Sequence, residues 1–332
     1  MSETLPNRQQ ILDAINGFRP ACIIGAAAEL DLWTVLAEKS RTAEELAGRL
    51  GLDLRALTML LDAAVAMDLL EKRDGRYSVP KELRDWLTAD GRDTILPMLH
   101  HATNIMRSWA QLAPIVKQGT PMPRQPSIRG AEADRAAFIA AMHSVSGPMA
   151  DGLVAQVGPP KFRHLLDVGG ASGTWTLAFL RAVPTATATI FDLPDAIEQA
   201  RQRLAGSPLA SRVTLAAGDF YTDDLPRGAD YAWVSAICHQ HSREHNRQLF
   251  GKVHKALTPG SRIAIRDIVM EDDRTHPREG ALFAINMLVN TETGGTFTFE
   301  EYVEDLEAAG FENPQLVVKH EAMNAVVVAD RP

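Results

Sequence analysis

A glycine-rich turn at residues 167–173 has the residue types that most directly suggest chemistry. It has the sequence DVGGASG and follows an apolar run of strand length. Glycines let a backbone turn sharply and approach a ligand closely. The spacing Asp-x-Gly-x-x-x-Gly differs from the Gly-x-Gly-x-x-Gly of a nicotinamide site. We interpret it as typical of a site for a nucleoside without a pyrophosphate.

Two acidic side chains follow the next two predicted strands. Asp192 lies in the segment FDLP at 191–194, and Asp219 lies in GDF at 218–220. An acid at the first position can accept hydrogen bonds from ribose hydroxyls. Asp219 can accept one from an adenine amino group, while Phe220 packs on the ring. A strand-end aspartate alone is often only a helix cap. Three such strand ends in order therefore predict a nucleoside site.

The elements that must position these residues form an alternating strand–helix pattern, typical of a parallel α/β sheet. Strands are predicted at 164–168, 186–191, 212–217, 231–237 and 262–268. Helices are predicted at 173–183, 195–205, 242–257, 278–292 and 299–309. The runs 315–319 and 325–329 are expected to form an antiparallel hairpin. A change of composition at 158–160 divides the chain into domains 1–158 and 159–332.

The first half of the sequence has helical periodicity, and its elements predict a winged helix. Helices are expected at 11–18 and 21–36, and a third begins at Thr42 with Glu45 as capping-box partner and ends at Gly51. A helix at 54–70 and a hairpin turning at 74–75 follow. A winged helix suggests DNA binding, but the helix at 54–70 carries one arginine and is apolar on most faces. It is better suited to a core or a subunit interface.

Overall composition narrows the classes of partner and compartment. The chain has 332 residues, a net charge of −8 and a pI of about 5.7, which argues against nucleic acid and anionic membranes as partners. The apolar run at 21–30 is too short to span a bilayer, and the first residues lack a signal-peptide layout. Cys22 and Cys238 lie far apart, which favours a reduced, cytoplasmic protein.

These motifs resemble those of the caffeic acid/hydroxyneurosporene type of S-adenosylmethionine (SAM)-dependent O-methyltransferase over nearly the whole chain. That family has D-V-G-G-G-x-G, F-D-L-P, G-D-x-F and a late strand ending in His-Asp-Trp. Here the last motif is CHQHS at 238–242. The resemblance implies an α/β fold with a class I methyltransferase Rossmann-like sheet. It also implies an all-helical winged-helix dimerisation domain at 1–158, a homodimer, and SAM as cofactor.

The resemblance also implies a set of ligand-binding residues, with a small and aromatic hydroxylated molecule as acceptor. Cofactor contacts are implied for Asp167, Gly169, Gly170, Gly173, Asp192, Leu193, Gly218, Asp219, Phe220 and Ser235. Acceptor contacts are implied for Trp109, Met142, His143, Asn286, Met287 and Asn290.

The family's catalytic base aligns with His239, and its partner acid aligns with Asp267. A phenol of pKa about 10 is mostly protonated at neutral pH, so a neutral histidine that accepts its proton assists attack on the methyl group. This reaction needs no metal. Ser235 replaces the family's lysine or arginine, and Gln240 replaces its aspartate. A second acid is missing near 294–297, where Glu292 or Asn286 could substitute.

With fewer carboxylates around it, His239 is expected to be a weaker base. A SAM-binding relative that decarboxylates or hydroxylates therefore stays open as an alternative, with a DNA-binding regulator as a lesser one.

His239, His241 and His245 have a spacing that could suggest a metal. A metal site needs convergent ligands, so we favour one catalytic histidine and two others on the following helix, without metal. Cys238 is expected to be a core residue facing away from His239, since neighbours on a strand point to opposite faces.

Overall fold

A computed structural model describes residues 5–159 and 161–332 of the chain. They divide into two compact units. Unit 1 comprises the chain up to Arg107 together with Gln125–Ser144, and unit 2 comprises Ser108–Arg124 and the chain from Val145 onwards. Residues 145–157 belong to unit 2 because Leu153 and Val154 pack in the same core as Phe179. The boundary at 158/159 stays a prediction from the sequence.

Unit 1 is helical apart from one hairpin. Its helices are α1 (Arg8–Asn16), α2 (Phe18–Glu29), α3 (Leu32–Glu38), α4 (Ala43–Leu50), α5 (Leu54–Ala66), α6 (Arg84–Leu87), α7 (Leu96–Trp109, which ends at the unit boundary) and α9 (Ala131–Ser146). The hairpin joins β1 (Glu71–Arg73) and β2 (Arg76–Ser78).

Local sequence signals in unit 1 are mostly confirmed. Thr42 and Glu45 form the predicted capping box, and Gly51 ends α4 in the left-handed conformation. The β1–β2 strands are antiparallel, as predicted for the turn at 74–75. The single helix expected over 21–36 is wrong, because Asp31 has a φ of 55° and separates α2 from α3. That break buries Leu32, Trp33 and other residues of α3 in the core of unit 1.

Helix α1 carries an exposed apolar face. Ile11 and Ile15 on α1, and Phe18 at the start of α2, are each more than half exposed. By length and composition alone the stretch 8–29 could cross a membrane, because it has 22 residues and contains an 18-residue window with a mean hydropathy of 1.2. It is longer than the apolar run at 21–30. Core helices of soluble proteins and signal sequences meet the same criterion. Large contiguous patches of exposed apolar side chains are typical of interaction surfaces.

Unit 2 is built on a seven-stranded sheet with the order β10-β11-β7-β6-β3-β4-β5. Its strands are β3 (His164–Val168), β4 (Thr187–Asp192), β5 (Val213–Ala217), β6 (Ala229–Ser235), β7 (Leu257–Asp267), β10 (Glu312–Val318) and β11 (Ala325–Asp330). Strands β3 to β7 are parallel, and β11 pairs antiparallel with β7 and β10. The predicted parallel sheet and its terminal antiparallel hairpin are confirmed.

Helices pack on both faces of this sheet. They are α10 (Ala150–Val157), α11 (Thr174–Ala182), α12 (Pro194–Leu204), α13 (Arg243–Ala256) and α15 (Phe299–Ala308). Unit 2 also contains α8 (Leu112–Gln118) and α14 (Arg278–Asn290), which contact each other. Two short strands, β8 (Val269–Met270) and β9 (Phe297–Thr298), pair beside the main sheet. One face of β7 packs with α13 and α15, and the other face packs with α10 and α11.

Strand β6 ends two residues earlier than predicted. It stops at Ser235, Ala236 has a φ of 58°, and residues 238–240 form a 3₁₀ turn. Because His239 lies on this turn, the argument that Cys238 and His239 face away from each other as strand neighbours is wrong. Cys238 is nevertheless fully buried in the core, which raises the pKa of its thiol.

Candidate active site

The glycine-rich turn joins β3 to α11 and depends on its missing side chains. Gly169 has a φ of 69°, and a Cβ there would collide with Ile237. A Cβ at Gly170 would lie 2.7 Å from the Asp167 carboxyl carbon and 2.9 Å from Ile190. The backbone therefore runs directly over the strand ends, with no side chain between it and a ligand.

Asp167 lies beneath this turn, fully buried. Its Oδ2 accepts a hydrogen bond of 2.6 Å from the Thr176 hydroxyl, and its Oδ1 has no partner among the described residues. Burial raises the pKa of this carboxyl to about 7. The side chain is placed to hold the turn from below.

Asp192 ends β4 and contacts the same turn. Its Oδ2 accepts from the Ala171 amide at 2.7 Å, and its Oδ1 accepts from the Leu193 amide at 2.7 Å. Burial raises the pKa of Asp192, and the two amide donors oppose that shift. An ionised carboxylate has about four lone-pair sites, so these bonds leave acceptors for hydroxyl donors. Leu193 beside it is half exposed.

The segment after β5 forms a second turn, which Lys252 stabilises. Asp219 Oδ1 accepts from the Tyr221 amide at 2.9 Å. A Cβ at Gly218 would lie 2.6 Å from the Phe191 ring. The Lys252 ammonium donates to the carbonyl oxygens of residues 220, 221 and 223 at 2.7–3.0 Å. Sequence reasoning missed Lys252, because a lysine on an amphipathic helix carries no signal of its partner.

The three strand ends together fit an adenosine. Strands β3, β4 and β5 are neighbours in parallel register, so the glycine-rich turn, Asp192 and Asp219 lie side by side at one edge of the sheet. The turn closes over the strand ends so tightly that added Cβ atoms would fill its cradle. Carboxylates at the second and third strand ends have the acceptor atoms that ribose hydroxyls and an adenine amino group would need.

His239 and Asp267 form a buried pair beyond the ends of β6 and β7. His239 Nδ1 and Asp267 Oδ1 are 2.8 Å apart, and the His239 amide donates to Oδ2 at 3.2 Å. The two residues are 6% and 1% exposed. Because an ionised carboxylate can only accept, the proton belongs on Nδ1, which leaves Nε2 as the ring nitrogen able to take another. The Phe283 ring meets His239 edge-on, with centroids 4.9 Å apart.

The segment 294–295, where the resemblance would place a second acid, approaches the His239 backbone. Gly295 donates its amide to the His239 carbonyl at 2.9 Å, and a Cβ at Gly294 would lie 2.5 Å from that oxygen. Glu292 is exposed, and Asn286 bonds elsewhere. Within residues 5–159 and 161–332, Asp267 is the carboxylate that hydrogen-bonds His239.

A row of polar side chains on α14 lies near Trp109, in the same unit. Trp109 donates from Nε1 to Asn286 Oδ1 at 3.0 Å, and Asn290 donates to the same oxygen at 3.1 Å. Met287, which follows Asn286 in the sequence, is buried. The structure therefore brings together Trp109, Asn286 and Asn290. Met142 and His143 lie on α9 in unit 1.

The substituted family positions have different partners. The Ser235 hydroxyl accepts from Arg266 Nη1 at 3.1 Å, and Gln240 donates to the Ala236 carbonyl at 3.0 Å. The sequence analysis did not single out Arg266. The available signal was an arginine within the otherwise apolar run IAIRDIV.

His241 and His245 do not share the following helix, contrary to the expectation. Ser242 is the N-cap of α13, so His241 precedes the helix. His241 is buried, contacts the Tyr221 hydroxyl through Nδ1, and has its pKa lowered to about 4, mainly by desolvation. Among the described residues no group of three or more histidine, cysteine or acidic side chains is placed to hold a metal ion. The absence of a metal stays a prediction.

Comparison with known proteins gives matches along the whole chain. A family model described as an O-methyltransferase domain matches residues 122–312, and one described as an O-methyltransferase dimerisation domain matches residues 12–82. The chain is 31% identical over 313 residues to 3-hydroxy-5-methyl-1-naphthoate 3-O-methyltransferase of Streptomyces sahachiroi, which covers 90% of this chain and 88% of that protein. It is 29% identical to acetylserotonin O-methyltransferase of Gallus gallus, with 95% of each chain covered.

Solved structures agree with this assignment. Human N-acetylserotonin methyltransferase in complex with SAM matches with a TM-score of 0.79 and 25% identity, covering 100% of this chain and 99% of that one. PigF with S-adenosylhomocysteine (SAH) matches with a TM-score of 0.84 and 25% identity, covering 98% and 100%. These matches confirm the resemblance, the fold class and SAM as cofactor. The chain belongs to the SAM-dependent O-methyltransferase family.

Proposed function

We propose that this enzyme methylates a hydroxyl of a small aromatic molecule, with His239 as general base. The observation that carries the proposal is the 2.8 Å contact between His239 Nδ1 and the buried Asp267 carboxylate. That contact orients the ring and stabilises the positive charge that forms when Nε2 accepts the acceptor's proton. It does so although Ser235 and Gln240 differ from the family pattern.

The bound cofactor supplies an electrophilic methyl group on its sulfonium sulfur. His239 Nε2 takes the hydroxyl proton as the acceptor oxygen forms its bond to the methyl carbon. The products would be the methyl ether, SAH and protonated His239, since the sulfonium sulfur would keep the electron pair of its bond to the transferred methyl group. Most of the remaining acceleration comes from holding oxygen and methyl in line.

The cofactor is proposed to lie along the edge formed by β3, β4 and β5. Asp192 and Leu193 would contact the ribose, and Gly218, Asp219 and Phe220 would surround the adenine. Gly169, Gly170 and Gly173 would line the turn, with Asp167 holding it from beneath and Ser235 nearby. Support comes from the parallel register of the three strands and from the close packing of the turn.

The acceptor is proposed to lie against α14 and Trp109. Phe283 and Trp109 provide aromatic faces, while Asn286 and Asn290 provide polar groups that can orient a hydroxyl or carbonyl. Met287, Met142 and His143 remain acceptor contacts proposed from the resemblance. Relatives named for a hydroxynaphthoate and for acetylserotonin suggest a bicyclic aromatic acceptor.

The active enzyme is proposed to be a homodimer. The match to a dimerisation domain at 12–82 supports it, and so do the exposed apolar side chains of Ile11 and Ile15 on α1 and of Phe18 on α2. A cytoplasmic location is supported by Cys22 and Cys238, both of which are free thiols.

The test pairs one variant for each half of the site. The acceptor panel is 3-hydroxy-5-methyl-1-naphthoate, N-acetylserotonin and simple naphthols, and the assay uses the one that is methylated fastest. With that acceptor, His239→Gln should reduce the rate of methyl transfer at least 100-fold, because a general base contributes roughly 10²–10⁴-fold. It should leave SAH affinity in calorimetry unchanged. Asp192→Ala, by contrast, should lose most of its affinity for SAH in calorimetry. Turnover that survives in His239→Gln would show that the reaction proceeds by positioning alone.

A further inference from the structure

Arg266 is a buried cation without a carboxylate partner. Its side chain lies at the C-terminal end of β7 and is 3% exposed. Nε donates to Asn324 Oδ1 at 2.8 Å, and Nη1 donates to the Ser235 hydroxyl at 3.1 Å. The guanidinium also lies over the Trp175 ring, 4.6 Å from its centroid. All of these partners are neutral.

The nearest acid along the chain, Asp267, does not neutralise this charge. Successive strand residues point to opposite faces of a sheet, and Asp267 is bonded to His239 on the other face. Over the described part of the chain, Arg266 forms no ion pair with any acidic side chain. Burial without a counter-ion lowers the pKa of the guanidinium to about 10. A buried charge is costly unless it is paired, so an anion bound against this guanidinium would stabilise it.

The position of Arg266 in the sheet indicates which anion could bind to it. The sheet order places β5, β4, β3, β6 and β7 next to one another. If the adenine lies at the end of β5 and the ribose at the end of β4, the rest of the cofactor extends past β3 towards β6 and β7. Arg266 pairs in register with Ser235, the last residue of β6. Trp175, on which it stacks, lies in the first turn of α11, directly after the glycine-rich turn.

We propose that Arg266 binds the α-carboxylate of the methionine part of SAM. Guanidinium groups bind carboxylates through paired donors, and Nη2 is the donor nitrogen without a recorded bond among the described residues. Ser235 and Asn324 then act as positioning residues that hold the guanidinium through its other nitrogens. In this arrangement the cation comes from β7, one strand away from the lysine or arginine position of the family.

The test compares two ligands that differ in one group. SAH carries the carboxylate, and decarboxylated SAH keeps the adenosine, sulfur and amine but lacks it. By calorimetry the unmodified protein should bind SAH about 10- to 100-fold more tightly, the range of a hydrogen bond between charged groups. In Arg266→Met the two ligands should bind with affinities within about threefold of each other.

Controls keep the test decisive. Arg262→Gln changes an arginine on the same strand that pairs with Asp330, and it should keep the full preference for SAH. Arg266→Lys keeps the charge but loses the forked geometry, so it should keep part of the preference for SAH. This variant takes the place of Arg266→Met in the test if Arg266→Met does not fold.

A folded Arg266→Met variant that still prefers SAH by the original factor would overturn the proposal. So would an unmodified protein that binds both ligands equally. The proposal rests on the proposed placement of adenosine. Because both ligands carry the same adenosine, an error in that placement would appear in Asp192→Ala and not in the ratio.

Discussion

Replacing Asp267 by asparagine removes the charge next to His239 while keeping the side-chain shape. When the ring is protonated, the two charge centres lie roughly 4 Å apart, given the 2.8 Å contact between Nδ1 and Oδ1. At an effective dielectric constant of about 20 this attraction is worth about 4 kcal/mol, or a rate factor of about 10³. Asparagine keeps an acceptor oxygen, so part of the orienting effect survives. We therefore expect the rate of methyl transfer to fall by roughly 10²- to 10³-fold.

The assay for Asp267→Asn is single-turnover methyl transfer with saturating SAM and the preferred acceptor of the panel. SAH affinity and thermal stability are measured in parallel, because Asp267 also accepts from the His239 and Ile268 amides. Asp267→Glu is the matched control, since it keeps the carboxylate and its charge. It should retain more than a tenth of the rate. A rate for Asp267→Asn within threefold of the unmodified enzyme, with SAH binding intact, would refute His239 as a base assisted by Asp267.

Two further predictions concern the cofactor edge. The pKa of Asp167 is raised to about 7 in the folded protein, above its unfolded value, so its protonation stabilises the fold below about pH 4 and that contribution is lost as the pH rises to 7. Asp167→Asn should therefore raise the free energy of unfolding of the cofactor-free protein, and with it the melting temperature, more at pH 8 than at pH 5. The difference should be up to about 3 kcal/mol, because each of the two pH units between 5 and 7 is worth about 1.4 kcal/mol; an equal effect at both pH values would contradict it. Lys252→Met should weaken SAH binding roughly three- to tenfold and leave the saturated rate unchanged, since the ammonium holds the turn after β5 through three carbonyl oxygens. The control is Lys255→Met, at an exposed position of the same helix, which should not change SAH affinity. Equal SAH affinities of the Lys252→Met and Lys255→Met variants would contradict the proposed role of Lys252.

The parts of the fold that were predictable are those with local causes. The capping box at Thr42 needs only a threonine and a glutamate three residues apart. Strand β4 carries an apolar run that is buried on both faces and ends at Asp192, and Asp219 comes two residues after the end of β5. Motif spacing was therefore enough to place Asp192 and Asp219 on the same edge of the sheet.

The features that were missed depend on contacts distant in sequence. Asp31 breaks a helix because Trp33 and its neighbours must turn into the core of unit 1. Strand β6 ends early because Ala236 adopts a positive φ, which allows the 3₁₀ turn that presents His239. No periodicity in the sequence marks Arg266 as the partner of Trp175, since the two are more than 90 residues apart.

The pairing between β11 and β7 has a consequence for the accuracy of the active site. Arg266 and Asp267 are consecutive, yet one contacts Trp175 on one face of the sheet and the other contacts His239 on the opposite face. A slip of one residue along β7 would exchange the two faces, and each charge would be buried among the wrong partners. Val326 and Ala325 of the terminal strand pair with Arg266 and Asp267. The pairing with β11 therefore fixes the register of β7, and with it the positions of Arg266 and Asp267, although the side chains of Ala325 and Val326 take no part in the chemistry.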